Sequence, residues 1–218
     1  ITDDFIYRVN KVDVWSLNNF LIHDIVPDFH HLEIKPEKNG KLMKTLRKLK
    51  TYEFVDTVWL FANNLVNPAY YLHDNWKNNF YFYEKQYRDS DNGYYTPYSD
   101  NRVCLSCSSD GVDANLTAIV DMMCKAGYKK VYFLGVDLFS SEYFWTYNPS
   151  YDRFNIAKIM QTDMDCRPIH LAHSTHKTAK FLKDFSEWNK LDYVNLSSQS
   201  LLKEYIKTES IDSFLCKV

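Results

Sequence analysis

The chain has 218 residues, which is long enough for one domain with its own hydrophobic core, or for one domain with a small lid. Its 26 basic residues nearly balance its 28 acidic residues, so the charge gives no sign of nucleic-acid binding or of a polybasic membrane anchor. Its five cysteines form an odd set without framework spacing, which indicates a reducing compartment, and no run approaches the roughly 18 apolar residues of a membrane span.

The N-terminal part of the chain predicts strands and one amphipathic helix. Phe5 to Asn10 and Val12 to Leu17 are predicted as strands that end in polar asparagines. Only Lys11 separates them, which is too short for a crossover between parallel strands. We therefore expect either one continuous strand or a loop that is missing from this chain, and we favour the missing loop. Further predicted elements are a strand from Leu32 to Ile34, a helix from Leu42 to Leu49 and a strand from Val55 to Phe61.

The most regular pattern of the sequence runs from Asn115 to Phe139. Apolar residues recur at helical spacing as far as Cys124, and Gly127 falls where a helix C-cap requires a positive φ. Val131 to Leu134 is apolar on both faces, as in strands of a parallel sheet. A polar turn follows and leaves Asp137 at the carboxyl end of the strand. Because open α/β sheets bind ligands outside these ends, we expect the functional site at this edge.

The remaining elements complete an alternation of strands and helices. This alternation predicts an α/β fold with a Rossmann-like, doubly wound and mostly parallel sheet. Residues 1–218 are expected to form a single domain, with a lid over residues 140–170 where the sequence loses its periodicity. The elements are a partly helical segment from Tyr70 to Tyr87, a strand from Arg102 to Cys107, a helix from Thr178 to Trp188, a strand from Tyr193 to Leu196 and a closing helix from Leu201 to Ile206.

Polar residues at the ends of the predicted strands are candidates for nucleotide binding. Side-chain amides offer a donor and an acceptor together and suit a base or a ribose, although asparagine is also a common turn residue. A phosphate could be held by backbone amides before the helix that starts near Asn115, with help from Arg102. Neither a G-x-G-x-x-G nor a P-loop fingerprint is present. The candidates are Asn10, Asn18, Asn63, Arg102, Ser106, Ser108, Asn115, Asp137 and Asn195.

Histidine and tyrosine supply the candidate catalytic groups. His170, His173 and His176 are three residues apart, a spacing that spreads them over about 120° of a helix, and no Asp, Glu or Cys motif completes a metal site. No metal is therefore expected. A histidine at the edge of a cleft can act as a general base near neutral pH, and His173 is the candidate. The hydroxyl of Tyr143 can stabilise a departing phosphate, with packing inside the lid as the alternative.

Several segments resemble those of sialyltransferases, and their order and spacing match over most of the chain. The fullest is Gly127 to Asp137 (GYKKVYFLGVD), which is similar to the "GYKEIYLxGxD" segment of the bacterial enzymes. The others are Asp4 to Asn10, similar to the "DF…R-x-N" strand, Ala172 to Ser174, similar to "GHS", Asn195 to Leu202, similar to "NSLL", and Glu142 to Trp145, which resembles the "HYYW" segment of animal sialyltransferases.

The resemblance implies a metal-independent, inverting glycosyltransferase on a GT-A-like variant of the α/β fold, with no cofactor. The donor would be a CMP-activated acidic sugar, sialic acid or a Kdo-like sugar, and the acceptor an oligosaccharide or glycolipid. His173 would deprotonate the acceptor, Tyr143 would stabilise the leaving phosphate, and Asn10 would bind donor ribose or phosphate. The resemblance also implies a cytoplasmic location, at the inner face of the membrane. The basic face of the Leu42 to Leu49 helix is read as solvated, with acidic lipid or glycan contact as the alternative.

The chain also departs from the family pattern. The family's first strand and its "GNGPS"-type nucleotide loop are absent, because the chain begins too late. Asn115-Leu116 stands where the family has Ser-Gly, and Phe139 stands where a tyrosine contacts the phosphate. Two rival functions stay open. One is a nucleotide-dependent pyrophosphokinase, which would need magnesium and grouped carboxylates. The other is a non-catalytic glycan-binding protein, which loss of the nucleotide loop would favour.

Overall fold

The computed structural model describes residues 3–9, 11–17, 20, 23, 25–32, 52–62, 74–76, 79–83, 114–136 and 175–218. These residues fall into two compact units, the first containing those from 3 to 83 and the second those from 114 to 218. All described strand pairs are parallel, and helices lie between strands along the chain. The predicted α/β class with a mostly parallel arrangement is therefore confirmed. The prediction of a single domain with a lid stays a prediction.

The first unit contains a four-stranded parallel sheet whose strand order follows the chain, β1-β2-β3-β4. Consecutive parallel strands require a connection that crosses back over the sheet. β2 and β3 are interior strands, because each has a paired strand on both sides. On β2, His30 and His31 are fully buried, as expected for an interior strand. The described elements are α1 (Asp3–Val9), β1 (Trp15–Leu17), β2 (Phe29–Leu32), β3 (Val58–Ala62), a 3-10 turn (Asp74–Trp76) and β4 (Phe80–Tyr83).

An aromatic cluster forms the centre of this unit. Trp59 on β3 stacks on Trp76 of the 3-10 turn, with ring centroids 5.5 Å apart. Phe54 meets both rings edge-on, at 6.0 Å and 5.3 Å. All three side chains are fully buried. Large aromatic rings bury the most apolar area of any side chains. This cluster therefore attaches both the 3-10 turn and the segment before β3, which contains Phe54, to the sheet.

The second unit contains a three-stranded parallel sheet in the order β5-β6-β7. Its elements are α2 (Ala114–Lys125), β5 (Lys130–Phe133), α3 (Thr175–Asn189), β6 (Asp192–Asn195), a 3-10 helix (Leu201–Glu204), β7 (Lys207–Thr208) and α4 (Ile211–Leu215). The predicted helix before Gly127, the strand after it, the helix from Thr178 and the strand at Tyr193 are confirmed to within a few residues. Each of these segments had a strong apolar period of one kind.

One hydrophobic core holds this unit together. Leu116 and Val120 of α2, together with Leu182 and Phe185 of α3, pack against Phe133 and its neighbours in the sheet. The helix α2 ends in a Schellman-type turn: the amide of Tyr128 donates to the carbonyl of Met123 over 3.1 Å. Gly127 has a φ of +92° there, as the sequence predicts. The turn therefore directs the chain from α2 into β5.

The predicted N-terminal strand is wrong, because residues 3–9 form the helix α1. Phe5 and Val9 are buried, whereas Tyr7 between them is 68% exposed. A strand would place all three side chains on one face, but a helix places only residues four apart together. The amides of Lys11 and Val12 donate to the carbonyls of Arg8 and Val9, so the chain turns out of the helix. No parallel crossover is needed here, and the argument for a missing loop fails.

Other predicted boundaries differ from the structure. β2 covers residues 29–32 instead of starting at Leu32, because two buried histidines conceal its apolar character. β3 starts at Val58, and Val55 and Asp56 lie in a turn before it. The segment predicted as partly helical contains the 3-10 turn at Asp74–Trp76 and also β4, and the closing helix is a 3-10 helix followed by β7 and α4. The predicted Leu42 to Leu49 helix, Arg102 to Cys107 strand and 140–170 lid lie outside the described residues.

Candidate functional site

Most of the predicted site residues lie outside the part of the chain that the structure describes. The exceptions are Asn115, whose backbone belongs to the first turn of α2, and Asn195 at the end of β6. The described residues that neighbour the others in the sequence show which contacts form at the predicted edge, the carboxyl end of β5. The predicted residues outside the described ranges are Asn10, Asn18, Asn63, Arg102, Ser106, Ser108, Asp137, Tyr143 and His173.

The carboxyl end of the second sheet brings three chain segments together. β5 and β6 end side by side at Phe133 and Asn195, which are register partners. Because the two strands are parallel, the connection between them starts at the carboxyl end of β5 and returns to the amino end of β6. α3 ends immediately before β6, so its first turn lies toward the carboxyl end. This is the edge at which α/β sheets bind ligands.

Asn195 at this edge has an internal role. Its side chain is fully buried, and Nδ2 donates to the carbonyl of Ser197 over 2.7 Å and to Oγ1 of Thr208 over 3.1 Å. Its Oδ1 accepts the amide hydrogen of Ser197 over 3.1 Å. Oδ1 therefore closes an Asx-type turn, and both amide hydrogens are used, one on the Ser197 carbonyl and one to hold β7. Of the two roles that the sequence leaves open for this asparagine, ligand binding and turn formation, the structure shows turn formation.

Ser200 connects the segment after β6 with the turn after β5. The side chain is fully buried, and its hydroxyl donates to the carbonyl of Val136 over 2.5 Å. The same oxygen accepts the amide hydrogen of Leu202 over 3.0 Å and so caps the 3-10 helix. Gly135, one residue before Val136, has a φ of +70°. The backbone that leads directly to Asp137 is thus tied to a residue 64 positions later in the chain.

His176 and Tyr205 form a second connection at the same edge. Nδ1 of His176 lies 2.7 Å from the hydroxyl oxygen of Tyr205, and the rings meet edge to face with centroids 6.0 Å apart. His176 is exposed on the first turn of α3, three residues after His173 in the sequence. Of the three closely spaced histidines, the one that the structure describes pairs with a phenol. Within the described ranges, no group of three or more His, Cys, Asp or Glu residues could hold a metal ion.

Three groups of the second unit whose pKa is raised by burial, Asp121, Cys124 and Tyr193, lie away from this edge. Burial raises the pKa of Asp121 on α2, although Lys125 Nζ, 3.2 Å from Oδ2 in an ion pair without hydrogen-bond geometry, opposes the shift. Burial also raises the pKa of the Tyr193 phenol, and Cys124 and Asp121 add to that shift. Burial likewise raises the pKa of the Cys124 thiol, which lowers its thiolate fraction. Tyr193 pairs with Val131 near the start of β5, so its backbone lies toward the opposite end of the sheet from the candidate edge.

The first unit contains a buried serine–histidine pair that no local sequence pattern indicates. Ser16 Oγ lies 2.7 Å from Nδ1 of His30, and the two residues are register partners on β1 and β2. Such a pair can activate a nucleophile, but Ser16 is 3% exposed and His30 is fully buried. The pair therefore acts as a core hydrogen bond between the strands. No helix among the described residues is long and apolar enough to cross a membrane.

Comparison with known proteins supports the fold independently. No protein-family model matches the chain, and no curated protein gives a significant match. Two solved structures match 90% of this chain, and both are single-substitution variants of the sialyltransferase CST-II in complex with CMP. Each is 18% identical, the matches cover 76% and 77% of those chains, and the TM-scores are 0.50 and 0.51. At this identity the likeness shows the fold, and the expected GT-A-like, sialyltransferase-type α/β fold is confirmed.

Proposed function

We propose that the chain is a glycosyltransferase that moves a CMP-activated acidic sugar, sialic acid or a Kdo-like sugar, to a glycan hydroxyl. The observation that carries the proposal is the match of 90% of the chain to sialyltransferase structures with bound CMP. The segments that resemble sialyltransferase motifs add support. Two of them, at residues 127–136 and 195–202, meet at the carboxyl edge of the second sheet through the bond between Ser200 and Val136. That edge is where the fold class binds nucleotides.

The proposed reaction is a direct displacement at the anomeric carbon of the donor sugar. His173 takes the proton of the acceptor hydroxyl, and the oxygen attacks the anomeric carbon. The bond from that carbon to the phosphate oxygen breaks with inversion, and CMP leaves as an anion. The hydroxyl of Tyr143 donates a hydrogen bond to the leaving phosphate, which removes the need for a metal. The proposed donor-binding residues are Asn10, Asn18, Asn63, Arg102, Ser108, Asn115 and Asp137.

The partners follow from this chemistry. The acceptor in the proposal is an oligosaccharide or a glycolipid, and no nucleic acid is involved because the net charge is only −2. A glycolipid acceptor would place the protein at the cytoplasmic face of a membrane, by peripheral association. No cofactor besides the donor substrate is required. Vesicles with and without glycolipid acceptor, sedimented with the protein, test this part of the proposal.

The first test is calorimetric titration with CMP and then with UDP, both in the presence of EDTA. Binding of CMP without metal, with much weaker binding of UDP, supports the proposed donor. Absence of CMP binding overturns the donor assignment, and binding of nucleotide only with magnesium moves the function to the pyrophosphokinase alternative. Binding of glycan without any nucleotide favours the non-catalytic alternative.

The second test addresses the base. His173→Ala should lower the transfer rate by about 10²- to 10⁴-fold, the usual contribution of a general base, and leave CMP affinity unchanged. His170→Ala is the matched control, three residues earlier in the chain, and should retain the rate of the unmodified protein. Full transfer activity of His173→Ala would show that the assigned role is wrong.

A further inference from the structure

The described part of the candidate edge contains two tertiary hydrogen bonds that start from the same short segment. Ser200 opens the segment and donates to the carbonyl of Val136, the residue before Asp137 in the chain. Tyr205 closes the segment and pairs with His176, on the turn of α3 that follows His173 in the chain. The 3-10 helix between them keeps the two ends at a fixed separation, and Leu202 anchors it in the core.

We propose that the 200–205 segment is a positioning element, which holds the turn after β5 and the start of α3 in fixed relation to each other. The inference rests on the proposed function, because the residues next to these two attachment points are the ones assigned to the donor and to the base. Ser200 and Tyr205 touch neither substrate in this proposal. Ser200 acts through the backbone carbonyl of Val136, and Tyr205 acts through the side chain of His176.

The two attachments differ in environment, and this predicts two different effects. Ser200 is fully buried, so its hydroxyl cannot be replaced by bulk water, and the turn with the left-handed Gly135 depends on it. The bond between His176 and Tyr205 is exposed, so its loss frees the first turn of α3 without disturbing the core. Donor binding should therefore depend on Ser200, and the rate of the chemical step on Tyr205.

The chain offers a matched control for Ser200. Ser210 caps α4 in the same way, with its hydroxyl accepting the amide hydrogen of Ser213 over 3.1 Å. Among the described residues, the hydroxyl of Ser210 reaches no other segment. Ser200→Ala and Ser210→Ala each lose one helix cap, but only Ser200→Ala loses the attachment to the β5 turn. Ser200→Thr keeps the hydroxyl and serves as the conservative variant.

The first readout is amide hydrogen exchange of the full chain, which does not depend on the proposed function. Ser200→Ala should speed exchange across residues 130–136 by about tenfold, the effect of losing one net hydrogen bond, and Ser200→Thr should restore it. Tyr205→Phe should speed exchange in residues 175–180 to a similar extent. In a double-mutant cycle, the effects of Tyr205→Phe and His176→Ala on this exchange should not be additive. Equal exchange in Ser200→Ala and Ser210→Ala would overturn the inference.

The second readout separates binding from catalysis. Ser200→Ala should weaken CMP binding by about tenfold, and Ser210→Ala by less than about twofold. Tyr205→Phe should lower kcat by several-fold with unchanged CMP affinity. If Ser200→Ala does not fold, Tyr205→Phe and the cycle with His176 decide the matter at an exposed site. If the unmodified protein does not bind CMP, the proposed function fails, and hydrogen exchange alone decides whether the segment positions the edge. If the unmodified protein binds CMP and folded Ser200→Ala binds it with the same affinity, the proposed positioning role of Ser200 is refuted.

Discussion

Replacement of Asn195 by alanine tests the internal role that the structure gives this side chain. The change removes three hydrogen bonds, two to Ser197 and one to Thr208. At about 0.5–1.5 kcal/mol each, they add up to about 1.5–4.5 kcal/mol. Thr208 is exposed and Ser197 is half-exposed, so water can replace part of what is lost. We therefore expect Asn195→Ala to lower the free energy of unfolding by about 2 kcal/mol.

Asn189→Ala is the matched control for this measurement. Asn189 makes one side-chain hydrogen bond, from Nδ2 to the carbonyl of Phe185 over 2.9 Å, near the end of α3. Alanine recovers about 0.6 kcal/mol of helix propensity, so the net change should be close to zero. Urea unfolding followed by far-ultraviolet circular dichroism gives both values, and hydrogen exchange at residues 207–208 localises the effect. A loss in Asn195→Ala no larger than that in Asn189→Ala would refute the reasoning.

Three further predictions concern stability. Ser16→Ala should cost about 1–3 kcal/mol in urea unfolding, because it removes the hydroxyl partner of His30 Nδ1 in a dry core, and a loss below about 0.5 kcal/mol would contradict this. Gly127→Ala should cost about 1–2 kcal/mol through the left-handed φ of +92° alone, since a Cβ would meet no atom within 4 Å, and Gly127→Asn should recover part of it. Glu209 forms ion pairs with Lys207, whose Nζ lies 2.5 Å from Oε1, and with Lys217. These two cations lower the pKa of Glu209 from 4.5 to about 2. The stability from this carboxylate is therefore present above pH 4.5 and lost as the pH falls toward 2. Glu209→Gln should lower the melting temperature at pH 7, and the difference from the unmodified protein should disappear toward pH 2; a difference that is constant with pH would contradict this.

The parts of the fold that the sequence predicts well are those in which local signals agree. In α2 and β5 a helical apolar period, a glycine at the C-cap and a short apolar run follow one another, and all three agree with the structure. The sequence pattern predicts a strand in place of α1, because Phe5 to Val9 contains too few residues to separate a period of 2 from one of 3.6. The pattern also predicts β2 to start too late, because His30 and His31 are polar residue types but are buried in the sheet.

The candidate site was predictable as an edge but not as a set of contacts. The rule for open α/β sheets points to the end of β5, and the structure brings the ends of β5 and β6 and the start of α3 to that edge. The bond from Ser200 to Val136 joins residues 64 positions apart, and no local pattern encodes such a pairing. Asn195 shows the opposite limit. Its residue type fits ligand binding and turn closure equally well, and only the partners in the structure decide between them.

The parallel pairing of β5 with β6 also has a consequence for how the chain folds. β5 ends at Phe133 and β6 starts at Asp192, so the pairing must close a long stretch of chain before it gains any contacts. β6, the 3-10 helix and β7 follow one another closely, and their contacts are local by comparison. During synthesis α2 and β5 leave the ribosome early and keep their apolar faces uncovered until residues beyond 191 emerge. Removal of residues 192–218 should therefore leave an aggregation-prone chain, even though these residues are only a short part of the sequence.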